Sequence, residues 1–140
     1  MRNIPIKAQP FGESYRYDES NISDLSSGFD GLRIVVEFWN RDKKDSERKA
    51  VEVFFKGYSR HREFEEVDLV PYWESKEFSG GNLIYEIASG GWLSYDAAGE
   101  QLLSWVSACG LREWFICTSN FSATVLCKNE PTIKVLEASV

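Results

Sequence analysis

The 140-residue sequence has few of the residues on which most metal-dependent and hydrolytic enzymes rely. It contains one histidine, His61, and three cysteines with no CxxC pair. Zinc sites need several closely spaced Cys or His ligands, and Ser–His–Asp or Cys–His mechanisms need an oriented histidine base. His61 lies between Arg60 and Arg62 with no orienting motif nearby. The sequence therefore predicts no catalytic residue, no metal and no cofactor, and an exposed His61.

Long apolar runs are also missing. No window approaches the roughly 18 apolar residues that cross a bilayer, and the N-terminal segment lacks the apolar core of a secretory signal. Cys109, Cys117 and Cys127 form an odd set, which without a signal is typical of reduced thiols in the cytosol. We predict a cytoplasmic protein with structural thiols and no membrane contact.

Positive charge is scarce as well. Lys and Arg total 16 against 22 Asp and Glu, a formal net charge of −6. Proteins that bind nucleic acid present a basic face to the phosphates, so this class is excluded. The pairs Gly80–Gly81 and Gly90–Gly91 lead into apolar segments rather than helices, so they indicate turns and not phosphate loops.

The chain does have enough apolar residues for a core. Apolar residues make up 43% of the chain and aromatic residues 14%, which predicts one ordered domain over residues 1–140. Two alternating runs, GLRIVVEFW and KAVEVFFKGY, flank a charged loop and indicate an antiparallel hairpin. Apolar residues share one face of this hairpin, namely Leu32, Ile34, Val36, Phe38, Val51, Val53 and Phe55.

One segment has the pattern of a helix. Asp96 is a good N-cap and Gly110 a good C-terminal residue, with an apolar stripe at Leu102, Trp105 and Cys109. Residues 10–30 are polar and serine-rich, and we expect them to be largely loop. The resulting prediction is an α+β fold, a mostly antiparallel sheet of six to eight strands with one main helix packed on it.

Residues 61–80 carry six acids and two bases, interleaved with aromatic side chains. Interface centres favour aromatic residues, and an acidic rim steers a basic partner. Most such charge runs are solvated surfaces with no partner, but the interleaved aromatic residues also indicate a docking face for a basic protein. The candidate partner-binding residues are Glu63, Glu65, Glu66, Asp68, Tyr72, Trp73, Glu74 and Glu77.

Several stretches resemble small bacterial proteins of immunity type that accompany polymorphic toxins. These are the hairpin GLRIVVEFW…KAVEVFFKGY, the acidic EEVDLVPYW, SGGWLSY and the closing REWFICTSNFSATVLCKNEPTIKVLE. The resemblance implies a cytoplasmic single domain that binds a protein and has no catalysis of its own. We therefore predict a non-enzymatic protein-binding module, an inhibitor of a basic toxin or enzyme.

Two alternatives stay open. The first is a small enzyme or ligand-binding domain for a neutral molecule such as a sugar, in which Glu63, Glu74 or Glu86 acts as acid or base beside Trp73 or Trp92. The second is a homodimer. The outer face of the first hairpin strand is half apolar at Val35 and Trp39, and monomers seldom leave such a stripe uncovered.

Overall fold

The described part of the chain is built almost entirely of β-strands. The structure, a computed structural model, describes residues 5–15, 17–40, 48–58, 60–64, 72, 74–78, 81–91, 110–119 and 122–136. The strands are β1 (Lys7–Ser14), β2 (Glu19–Ser27), β3 (Gly31–Trp39), β4 (Lys49–Lys56), β5 (Arg60–Phe64), β6 (Asn82–Ser89), β7 (Arg112–Ile116), β8 (Ser122–Cys127) and β9 (Thr132–Leu136).

These strands form two antiparallel sheets. The five-stranded sheet has the order β1-β6-β7-β8-β5, and the four-stranded sheet has the order β2-β3-β4-β9. The predicted hairpin is confirmed, because β3 pairs with β4 from Gly31 opposite Lys56 to Phe38 opposite Lys49. Its charged tip, residues 41–47, lies outside the described residues.

The core lies between the two sheets. The apolar face predicted for the hairpin is buried, with Ile34 and Val53 fully inaccessible. It packs against the inner face of the five-stranded sheet, where Trp114, Ile116 and Val125 belong to the same cluster. Two sheets that each bury one face against the other form a β-sandwich.

The prediction of an α+β fold with one main helix is wrong. The described residues contain nine strands, and only Tyr72 and Glu74 have helical backbone geometry. A second sheet, rather than a helix, covers the inner face of the five-stranded sheet. The segment from Asp96 to Cys109, in which the helix was predicted, lies outside the described residues.

Residues 10–30 are not largely loop, because they contain most of β1 and all of β2. Both are edge strands, and an edge strand needs little apolar surface. In β2 only Ile22 is buried, so its serines leave no alternating apolar pattern. In β1, Pro10 and the irregular pairing after Phe11 are tolerated because one side of the strand has no neighbour.

Gly31 at the start of β3 makes room for an aromatic ring. A Cβ atom built on Gly31 would lie 2.7 Å from Cζ of Phe54, whose ring crosses the glycine from the neighbouring strand. It would also press on the carbonyl oxygen of Phe55. Glycine is therefore required here by close packing, on the outer face of the four-stranded sheet.

We predict that Gly31→Ala lowers the free energy of unfolding by about 1–3 kcal/mol, because the added methyl group must displace the Phe54 ring or the strand. Urea denaturation measures the change. Gly28→Ala is the matched control, since its Cβ would meet nothing closer than 3.7 Å. Equal stability of the two variants would contradict this explanation of Gly31.

Candidate functional site

In the structure, part of the predicted acidic docking segment lies in the core and part lies at the surface. Glu63, Tyr72, Glu74 and Glu77 are described, whereas Glu65, Glu66, Asp68 and Trp73 lie outside the described residues. Of the four that are described, only Glu63 and Glu74 are exposed.

Tyr72 is a core residue and not a surface contact. Its side chain is 7% exposed and its ring stacks on Phe115 with the centroids 4.8 Å apart. Phe78 packs edge-on against Tyr85 at 5.0 Å and also contacts Phe115. These aromatic rings cover the outer face of the five-stranded sheet. Tyr72 and Phe78 belong to the segment predicted as a docking face, and in the structure they join Tyr85 and Phe115 in a second hydrophobic cluster.

Glu77 attaches this segment to an edge strand. Its Oε1 accepts a hydrogen bond from the backbone N–H of Ala8 in β1 at 3.0 Å. Ser75 braces the same turn, because its hydroxyl donates to the carbonyl of Tyr72 at 2.6 Å. Glu77 is therefore partly buried and has a structural role.

The exposed charges near Glu63 are mixed in sign. Glu63 lies on edge strand β5, on which Arg60 and Arg62 are also exposed. His61, between the two arginines, is half-buried rather than exposed, with its ring 5.7 Å from that of Tyr58. The acidic character predicted for the segment is thus carried by Glu63 and Glu74 in the described residues.

A different surface emerges at one end of the sandwich, which we call the loop end. It is formed by residues 28–30, 57–58, 89–91, 110–111 and 128–131. Binding sites of β-sandwiches are commonly built from the loops at one end, because the sheets hold the loops in place.

Phe29 stands at the tip of the loop end. Its relative exposure is 108%, so none of the described residues covers the ring. The turn beneath it is fixed by a hydrogen bond from the N–H of Gly28 to the carbonyl of Gly31 at 2.8 Å. The N–H of Gly57 donates to the carbonyl of Asp30 at 3.2 Å, which ties the turn to the adjoining loop.

The neighbouring loop is anchored to the same strand end. The carbonyl of Lys56 accepts hydrogen bonds from Nδ2 of Asn129 at 3.1 Å and from Sγ of Cys127 at 3.3 Å. These two bonds link the β8–β9 turn to the end of β4 and hence to the Phe29 turn. Phe29 therefore projects from a braced scaffold.

An ion pair closes the core beside these loops. Nε and Nη2 of Arg112 donate to the two carboxylate oxygens of Glu86 at 2.7 and 2.9 Å. The guanidinium also lies 4.6 Å from the centre of the Trp114 ring. The hydrogen bond that Arg112 donates to Glu86 is the main reason that the pKa of Arg112 is raised. The two parallel hydrogen bonds between the guanidinium and the carboxylate fix the orientations of both side chains.

A small cleft adjoins this ion pair between the ends of β6 and β7. Its volume is about 230 Å³, and its walls include Glu86, Ser89, Leu111 and Glu113. Typical ligand pockets are larger, roughly 300–1,000 Å³. Of the acids predicted for a sugar site, Glu63 and Glu74 are exposed and Glu86 is held by Arg112. This arrangement does not favour acid–base catalysis by that set.

The outer face of the four-stranded sheet is covered by ion pairs rather than left as an apolar stripe. Val35 is 8% exposed, and the guanidinium of Arg48 lies 4.7 Å from the centre of the Trp39 ring. Arg33 bridges Glu52 and Asp24 across three strands. The structure thus provides no open homodimer face at Val35 and Trp39.

No family model, no curated protein and no solved structure matches this chain. Within the described ranges no helix is long and apolar enough to cross a membrane. The same residues include no group of three or more His, Cys, Asp or Glu side chains able to hold a metal ion.

Cys117 follows β7 and packs against the second hydrophobic cluster as a free thiol. Burial raises its pKa to about 12. A thiol with a raised pKa stays protonated at neutral pH and reacts slowly, since the thiolate is the nucleophile. This supports a structural role for Cys117.

We predict that iodoacetamide labels Cys117 at least about tenfold more slowly in the folded protein at pH 8.5 than in urea. Peptide mapping by mass spectrometry separates it from the other cysteines. The raised pKa also stabilises the fold fully below about pH 8.5, and this contribution is lost as the pH rises toward 12. Cys117→Ser should remove that part of the pH dependence, and fast labelling in the folded state would contradict the prediction.

Proposed function

We propose that this protein is a non-enzymatic protein-binding module that docks through its loop end, in the manner of an immunity-type inhibitor of a toxin or enzyme. The observation that carries the proposal is the complete exposure of Phe29 on a hydrogen-bonded turn. An exposed phenylalanine adds nothing to the stability of the isolated domain. Its position at a braced loop tip is what a partner with an apolar pocket requires.

Energetics support this use of Phe29. Burying a phenylalanine side chain contributes about 1.5–3 kcal/mol, comparable to a tenfold to hundredfold change in affinity. Large aromatic residues dominate interface energies when they fill a pocket on the partner. Because the Phe29 turn is already fixed by backbone hydrogen bonds, little ordering of the loop opposes binding.

Charge supports a basic partner. The net charge is −6, and Glu63 and Glu74 are exposed. At the loop end the exposed charges are mixed in sign, with Asp30 and Glu130 negative and Lys128 positive. We therefore expect the apolar contact of Phe29 to determine the affinity for the partner. The acidic charges act over a longer range and raise the rate of association.

We expect Phe29→Ala to weaken capture of a partner from lysate of the source cells about tenfold or more, because the pocket on the partner loses its occupant. Phe29→Trp should retain binding. The melting temperatures of both variants should match the wild type, since the ring contacts no core residue. Bound proteins are quantified by mass spectrometry.

Val135→Ala is the matched control for non-specific hydrophobic binding. Val135 is the other large apolar side chain that is strongly exposed among the described residues, at 71%. A partner that binds wild type, Phe29→Ala and Val135→Ala equally would contradict docking through the loop end.

The charge contribution has its own test. Reversing Glu63 and Glu74 together to lysine should slow association with the captured partner several-fold at low salt and leave dissociation unchanged. Surface plasmon resonance at two salt concentrations measures both rates. Glu13→Lys, compared with Glu63→Lys alone, makes the same change in net charge at another exposed position, and an equal effect would show that location does not matter.

A further inference from the structure

The four edges of the two sheets are not equally protected against pairing with another strand. Edge strand β1 contains Pro10 and two irregularities, and β2 has a bulge between Ile22 and Asp24. Edge strand β5 carries Arg60, His61, Arg62 and Glu63 in succession. Proline, bulges and charge are the usual devices that prevent edge-to-edge association. In β9, TIKVL, none of them is present except one lysine.

The register of the hairpin shows which backbone groups of β9 are available. The N–H of Gly57 donates to the carbonyl of Asp30, and these two residues form the next pair beyond Gly31 and Lys56. Bonding alternates along an antiparallel strand, so the odd-numbered residues of β4 bond to β3. The even-numbered residues of β4 therefore bond to β9 on its other side.

The even residues of β4 lie opposite Thr132, Lys134 and Leu136. This leaves Ile133 and Val135 with their N–H and C=O groups directed to the open edge of the four-stranded sheet. In the described part of the fold β9 is the last strand of that sheet, and β4 is its single neighbour. Two donors and two acceptors thus face outward on a regular strand.

The side chains of the same two residues are apolar. Ile133 and Val135 lie opposite Val53 and Val51, on the inner face of the sheet. Ile133 is half-buried against the core, but Val135 is 71% exposed. Among the described strands, none lies beside β9 on this side to cover the valine.

We infer that β9 pairs antiparallel with β9 of a second copy of this chain, with Lys134 on the two-fold axis. Complete overlap of the five-residue strands gives this register. In this register Ile133 of each copy lies opposite Val135 of the other, so that apolar residues meet on the inner face. Four backbone hydrogen bonds then join two four-stranded sheets into one of eight strands. This inference does not rest on the proposed function.

On the outer face the register brings two like charges together. The two Lys134 residues meet at the axis, and their repulsion opposes the pairing that the apolar contacts of the inner face favour. Each of them also lies opposite Glu52 of its own chain, so the row across the dimer reads Glu52, Lys134, Lys134, Glu52. An extended acidic peptide, the competing occupant of this edge, would lack the reciprocal contact of Ile133 with Val135.

A cysteine on the axis tests the register directly. Lys134 would be a non-hydrogen-bonded pair with its copy, with Cα atoms about 4.5 Å apart, a separation that a disulfide spans. Under mild oxidation Lys134→Cys should give a cross-linked dimer as the main product. Thr132→Cys is the matched control. Residue 132 of one copy is displaced by four residues, about 13 Å, from residue 132 of the other. The two cysteines should therefore not form a disulfide.

The unmodified protein, oxidised in the same way, shows how much cross-linking the native cysteines contribute. In a second measurement, Val135→Lys should abolish the dimer in sedimentation over a concentration series, because it places a charge on the inner face, while its far-ultraviolet circular dichroism stays unchanged. Equal cross-linking of both cysteine variants, or none in either, would overturn the inference. A protein that stays monomeric at all concentrations yet gains amide protection at β9 with an added peptide would overturn it in favour of the peptide.

Discussion

The burial of Trp114 between the two sheets is the constraint on which the rest of the structure depends. The indole is fully inaccessible, and its Nε1 donates to the carbonyl of Cys127 at 3.0 Å. Phe11 of edge strand β1 meets the ring edge-on at 5.1 Å. One side chain thus joins strands from the edge to the middle of the five-stranded sheet, and burying so large a ring requires the second sheet above it.

The loop end inherits its rigidity from that core. Arg112 lies over the Trp114 ring and is fixed by Glu86, and Cys127 bonds to the carbonyl of Lys56 in the opposite sheet. The residues beneath Phe29 are therefore connected to the most buried part of the molecule through short contacts. A loop held in this way can present a side chain in one orientation, which is the property that the proposed binding function uses.

Sequence patterns predicted the parts of the fold in which burial alternates. The hairpin of β3 and β4 and the strands β6, β7, β8 and β9 carry clear apolar signals. The polar edge strands β1 and β2 do not, because pairing rather than burial stabilises them. The fold class was predicted wrongly because all the apolar strands were assigned to one sheet covered by a helix, and the burial of β8 on both faces does not identify which layer covers it.

The site was harder to predict. Acidic and aromatic residues of 61–80 were grouped by sequence proximity, but Tyr72 turns inward to Phe115 while Glu63 and Glu74 face solvent. Phe29 was missed because it stands between turn residues in SSGFDG, outside any alternating run. An aromatic residue flanked by Gly and Asp at a hairpin tip was the available signal, and only the fold shows that none of the described residues covers it.

The pairing of β4 with β9 has a consequence for how the chain folds. Four strands separate these two neighbours along the sequence, and all four belong to the other sheet. The local hairpin can form early, but one edge of it stays open until the five-stranded sheet has been laid down and β9 emerges. Contacts between strands so far apart in sequence slow folding, and the β4 edge of the hairpin is unpaired until they form. The five residues TIKVL thus complete a sheet whose other three strands come from the first 56 residues of the chain.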